Sequence, residues 1–125
     1  MSVFSAQSKL DFVTKQAQKG RALSLIVLAQ ARLIGYGQIL HWQGVAEIAD
    51  LFISEAWRNQ GIGTALMHAL IAYAQAQKWE RVSIGVAHNN PRAHALYTRL
   101  GFRHAYDRQL MPYGVVHYLE MRLEA

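Results

Sequence analysis

Cysteine is absent from the 125-residue chain, which excludes disulfides, thiolate zinc sites and cysteine nucleophiles. No apolar run approaches the ~20 residues that a membrane helix needs. The opening Met1-Ser2-Val3-Phe4 has no basic segment leading into an apolar one, so no secretory leader is expected. Linkers, low-complexity runs and internal repeats are missing too, and the length suits a single domain over 1–125. The six histidines form no H-x-x-x-H or H-E-x-x-H on a helix, so no metal is expected. These absences describe a globular, cytoplasmic protein without a membrane partner.

What is present is a chain that is 52% hydrophobic with a formal net charge of +5. A basic surplus favours anionic partners without naming them. Nucleic acid ranks last among them, because no recognised nucleic-acid module is visible. Leu10, Val13 and Ala17 are spaced as one helical stripe, which predicts a helix over Ser5 to Lys19 closed by Gly20. Leu23 to Ala29 and Leu33 to Leu40 then read as an antiparallel hairpin, and Val45 to Ser54 as a long buried strand. Ile62, Leu66, Ala69, Leu70 and Tyr73 mark a helix over Gly61 to Lys78. In the strand Arg81 to His88, Val82, Ile84 and Val86 alternate with the small Ser83, Gly85 and Ala87, which give a helix or ligand room to approach. Asn90-Pro91 opens a further helix that Gly101 closes, and the strands Phe102 to Gln109 and Val115 to Leu123 complete the chain. The expected fold class is α/β (α+β): a mixed, mostly antiparallel sheet flanked by helices.

Arg58-Asn59-Gln60-Gly61-Ile62-Gly63 sits where the long strand runs into the amphipathic helix. Two glycines one residue apart permit a tight turn and a close ligand. The first N–H groups of the helix converge there, with the positive end of the helix dipole behind them, and favour phosphate oxygens. Arg58 supplies a charge, and Gln60 and Thr64 offer further hydrogen bonds. A glycine-eased connection with a solvated arginine fits the turn alone equally well. There is no G-x-x-x-x-G-K-[ST] and no G-x-G-x-x-G after a first strand, so nucleoside-triphosphate and dinucleotide folds are set aside.

A second constellation decides between these readings. Asn90 to Phe102 has the form N-x-x-A-x-x-L-Y-x-x-x-G-F, and it comes after I-S-E-A-W-R-N-Q-G-I-G-T-A-L at Ile53 to Leu66. Together they resemble the GNAT superfamily of acetyl-CoA-dependent N-acetyltransferases, closely over Val45 to Phe102 and loosely over the last two strands. The resemblance implies that Arg58, Asn59, Gln60, Gly61, Ile62 and Gly63 hold the pyrophosphate of coenzyme A, with Thr64 adjoining. It implies that the main chain of Leu51, Phe52 and Ile53 pairs with the pantetheine arm, whose amides behave as an extra strand. The strand ending at Ala87 would splay away there.

Tyr97 falls where many relatives keep a tyrosine near the thioester sulfur, and a phenol of pKa ~10 suits protonation of a thiolate of pKa ~8.5. Asn90 is a helix cap first and a cofactor contact second. Glu47 stands at a spacing from Gly61 where some relatives place a general base. By period-two counting it shares a face with Ala49, Leu51 and Ile53, with Asp50 opposite. A solvated carboxylate that orders water is the competing reading of Glu47. The implied reaction is direct transfer from acetyl-CoA to a primary amine of a small molecule, peptide or protein, without a metal. A non-catalytic coenzyme A-binding regulatory domain is the alternative. Tyr36, Trp42, Tyr113 and His117 are candidate acceptor-side residues, whereas His88, His94 and His104 read as surface or cofactor rim. Relatives usually open with a strand and two helices. The shorter start here implies an acceptor side that is open, completed by a second subunit in a homodimer, or cut from a longer chain.

Overall fold

The computed structural model describes residues 2–7, 10–16, 22–42, 44–112 and 114–123. In chain order the elements are β1 (Ser2–Gln7), β2 (Leu10–Gln16), β3 (Ala22–Ala29), β4 (Arg32–Trp42), β5 (Val45–Ile53), α1 (Ile62–Ala76), β6 (Arg81–Ala87), α2 (Pro91–Leu100), β7 (Arg103–Leu110) and β8 (Gly114–Arg122). The strands form one sheet in the order β1-β2-β3-β4-β5-β6-β8-β7. Only β5 and β6 are parallel; every other neighbouring pair is antiparallel.

The helix expected over Ser5 to Lys19 is replaced by β1 and β2, and Gly20 lies outside the described residues. β2 pairs with β3 from Leu10↔Ala29 to Gln16↔Leu23. An unpaired edge on β3 would leave a row of backbone donors and acceptors without partners. Phe12-Val13-Thr14 suits a strand, and this non-local pairing outweighs a thin helical stripe. The remaining elements stand within two residues of their expected ends.

β3 shows why one face of the sheet is the core: Leu23, Leu25, Val27 and Ala29 are buried in strict alternation. α1 lies on that face and buries Leu66, Met67 and Leu70 completely, each worth about 1.5–3 kcal/mol. α2 joins the same core through Tyr97, which meets Phe102. The other face of the sheet carries no helix among the described residues, and Tyr36, Leu40, Phe52 and Tyr106 are exposed there. Neither helix is long and apolar enough to cross a membrane.

Register shifts put an extra residue in β1, β4, β5 and β7, and those in β5 and β7 turn candidate site residues to new faces. In β5 the register slips opposite Gly37: Tyr36 pairs with Phe52 but Gln38 with Ala49, so Asp50 and Leu51 together oppose one residue. Asp50 takes φ 56° in this bulge. Leu51 folds into the core beside Gly37, where an added Cβ would lie 2.8 Å from Leu51 Cδ1. In β7 the register slips at Ala105, between His104↔Leu119 and Tyr106↔Tyr118.

Candidate active site

β5 and β6 are paired only from Ala46↔Val82 to Ile48↔Ile84. Beyond Ile48 the bulge turns β5 aside and the two strands part. A cleft of about 610 Å³ opens at this point on the helix side. Leu51, Phe52 and Ile53 line it from the end of β5, and Arg58, Asn59, Gly61, Gly63 and Thr64 from the turn into α1. Asn90 and Tyr97 line it from α2. Most of the residues picked out from sequence are therefore gathered around one opening.

Two side chains of the turn are not. Gln60 is exposed and its amide donates to the Ala56 carbonyl at 3.4 Å, turned away from the cleft. The Ile62 side chain is buried in the core, so only its backbone N–H faces the turn. Conversely, Trp57, Arg92, Ala93, Leu96 and Arg99 line the cleft without having been singled out. Arg92 and Arg99 are seven residues apart on α2, two turns on one side of a helix, so their shared face was readable from spacing. Together with Arg58 they put three guanidinium groups around the opening.

The backbone of the turn suits an anion. Asn59 at φ 62° and Gly61 at φ 81° are left-handed, a pairing that points successive N–H groups into a concavity. α1 starts with no side-chain cap and no acidic residue in its first turn. Its leading N–H groups thus have no intrahelical acceptor, and the helix dipole reinforces them. Arg58 Nε donates to the Ile53 carbonyl at 3.1 Å, folding the guanidinium against the strand end. An added Cβ on Gly63 would find nothing nearer than Leu96 Cδ2 at 3.8 Å and Ile53 at 4.0 Å. Packing within the chain does not require glycine there; a side chain would project into the cleft.

Tyr97 is 7% exposed, and burial pushes its phenol above the ordinary value. It therefore holds its proton through the neutral range. Asn90 accepts from the Ala93 N–H at 3.2 Å, which engages its carbonyl oxygen as the α2 cap.

Glu47 is placed differently from the period-two count. The extra residue in β5 reverses the parity, so Leu51 and Ile53 join Ala46 and Ile48 on the core face. Glu47 lies on the bare face, exposed, opposite Leu40 and beside Ser83. It is near Tyr118, whose phenol is raised chiefly by burial and then by the Glu47 charge. The small residues of β6 also serve another purpose than expected. A Cβ on Gly85 would meet Tyr118 at 3.1 Å and Val116 at 3.2 Å, so the space is already filled by β8.

Of the acceptor-side candidates, Tyr36 stacks on Phe52 at 5.3 Å on the bare face. Trp42 is 73% exposed, and Tyr113 lies outside the described residues. His117 leaves this group, because it pairs with the core-facing Val86 and meets His94 of α2.

A mostly antiparallel sheet that parts between its two parallel strands, with an uncapped helix start at the opening, has the fold of the GNAT acyltransferases. The acetyltransferase (GNAT) family model matches residues 3–102, and the chain belongs to that family. A segment of 58 residues is 41% identical to an uncharacterized N-acetyltransferase of Methanocaldococcus jannaschii. That segment is 46% of this chain and spans only 26% of the relative. Among solved structures, a GNAT family acetyltransferase from Elizabethkingia anophelis with acetyl-CoA bound superposes with a TM-score of 0.81. The match covers 94% of this chain and all of that one, at 18% identity. A protein from Bacillus anthracis assigned as a streptothricin acetyltransferase, in complex with acetyl coenzyme A, gives a TM-score of 0.76 at 20% identity. That match covers 86% of this chain and 66% of the other. At these identities the structural matches bear on the fold.

Proposed function

We propose that the protein transfers the acetyl group of acetyl-CoA to a primary amine, directly and within a ternary complex. The observation that carries this reading is the position of the cleft. It opens where β5 and β6 part, between an uncapped helix N-terminus at one end and the buried Tyr97 at the other. The pyrophosphate lies on the Asn59 to Thr64 turn with Arg58 beside it, and the pantetheine amides pair with the free edge of Leu51 to Ile53. The thioester then sits in the gap between the strands.

The bulge gives this gap two sides. Cofactor enters from the helix face, and the amine approaches over the bare face, past Glu47, Tyr36 and Phe52. Glu47, through water, takes a proton from the ammonium or the attacking amine. The nitrogen bonds to the acetyl carbon, and a β5 main-chain N–H near Ile53 stabilises the oxyanion. The carbon–sulfur bond breaks, and Tyr97 gives its proton to the departing thiolate. The acetyl-CoA-bound relatives support the donor. The chain's own residues support a primary amine reached from an open, aromatic-flanked face.

Titration calorimetry with acetyl-CoA tests the first half of this reading. Saturable binding is expected, and Gly63→Val should weaken it while leaving the circular dichroism spectrum unchanged. Absence of saturable binding by the intact chain would end the proposal. A panel of amines, read by thiol release, tests the second half; binding with no turnover on any amine would point to a coenzyme A-sensing domain instead.

A further inference from the structure

Between α2 and the β7–β8 hairpin, three side chains converge on one point. His104 Nε2 and His117 Nδ1 each lie 2.7 Å from the same atom, Asp107 Oδ1. All three donor atoms are within 4.8 Å of one another. We propose that His104, Asp107 and His117 form a binding site for a divalent transition ion of the zinc type, with water completing its coordination.

The β7 bulge makes the cluster. In a regular strand, residues three apart face opposite ways. The slip at Ala105 turns both His104 and Asp107 to the helix face, since they pair with the core-facing Leu119 and with His117. Bulges recur where a strand must re-aim a side chain. The His94 ring on α2 stands 6.0 Å from the His117 ring, edge to face, so the cluster lies against α2. Two imidazoles and one carboxylate are a donor set for zinc and its first-row neighbours rather than for magnesium or calcium. Zinc takes nitrogen at about 2.0–2.1 Å, so tetrahedral donors stand about 3.3 Å apart and the cluster needs to open by roughly 0.6 Å. Each imidazole keeps its proton on the other ring nitrogen when the facing nitrogen binds metal.

Without an ion the same atoms form a hydrogen-bonded cluster, and the two histidines hold the Asp107 carboxyl below its ordinary range. Sequence spacing gave no sign of the site, because its ligands come from the two strands of a hairpin rather than from one helix. A bound ion would tie β7 to β8 on the face that meets α2, one turn ahead of Tyr97.

The experiment is calorimetry of the full, untagged chain with zinc chloride, paired with the visible spectrum of added Co²⁺. One saturable site of micromolar affinity is expected, with d–d absorption from nitrogen-bound Co²⁺. His117→Ala and the isosteric Asp107→Asn should each weaken it by roughly tenfold or more. His68→Ala, an exposed histidine on α1, should leave it unchanged. No saturable binding by the unaltered chain would overturn the proposal, and so would binding that survives in Asp107→Asn and in His104→Ala/His117→Ala.

Discussion

Tyr97 shows how one residue can be pulled toward both structure and chemistry. Its ring closes the core against Phe102, while the same ring forms a wall of the cleft. Burial raises its pKa above the ordinary 10.0 because the phenolate loses hydration. For a group raised on folding, the stabilising contribution is complete below the unfolded value. It is lost as pH climbs through the folded one. The phenol is thus an acid that stays protonated across neutral pH, so any alkaline loss of turnover that it causes must lie above about pH 10. Tyr97→Phe is expected to lower kcat on the order of 10²-fold, with little change in KM for acetyl-CoA, and to abolish that alkaline limb. A pH–rate profile of the two proteins checks this, and an unchanged kcat would take Tyr97 out of the chemistry.

At the scale of elements, α2 depends on its cap. Asn90 is the N-cap, Pro91 stands at the first helical position, and Gly101 closes the helix at φ 108°. Asn90→Ala should cost about 1 kcal/mol, seen as a lower urea midpoint at an unchanged m-value, and Asn90→Asp should retain most of it. Caps of this kind were legible in the sequence because their chemistry is local. The glycine turn at Arg58 to Gly63 and the α1 stripe were legible for the same reason. The strands β1 and β2 were not, because choosing between helix and strand there depends on pairing with β3, which the segment's own periodicity does not show. Neither the β5 nor the β7 bulge could be counted from alternation, since one inserted residue reverses every face beyond it. That single effect moved Glu47 off the face shared by Leu51 and Ile53, and it hid the convergence of His104 with Asp107. Arg92 and Arg99 differ from these cases: their spacing was visible, but nothing in the motif called attention to it.

Across the molecule, the cleft is the place where the sheet holds together least. Three residue pairs join β5 to β6, and this parallel contact is what connects β1–β5 to the β6–β8–β7 half. The walls of the cleft come from both halves: β5 and the α1 turn on one side, α2 on the other. A ligand that fills the cleft therefore bridges a gap that the backbone leaves open, and it binds only the folded chain. Acetyl-CoA at a hundred times its dissociation constant should add about 2.7 kcal/mol to stability. For a chain of this size that corresponds to a rise in melting temperature of roughly 10 °C. Salt gives a second handle on the same site. Arg58, Arg92 and Arg99 surround the opening in a chain of net charge +5, so much of the attraction for a polyanionic ligand is screened by salt. The shift measured at a fixed acetyl-CoA concentration should shrink as sodium chloride is raised from low to physiological ionic strength and beyond. A melting temperature that ignores acetyl-CoA, or a shift indifferent to salt, would show that the three arginines and the turn do not act as one anion site.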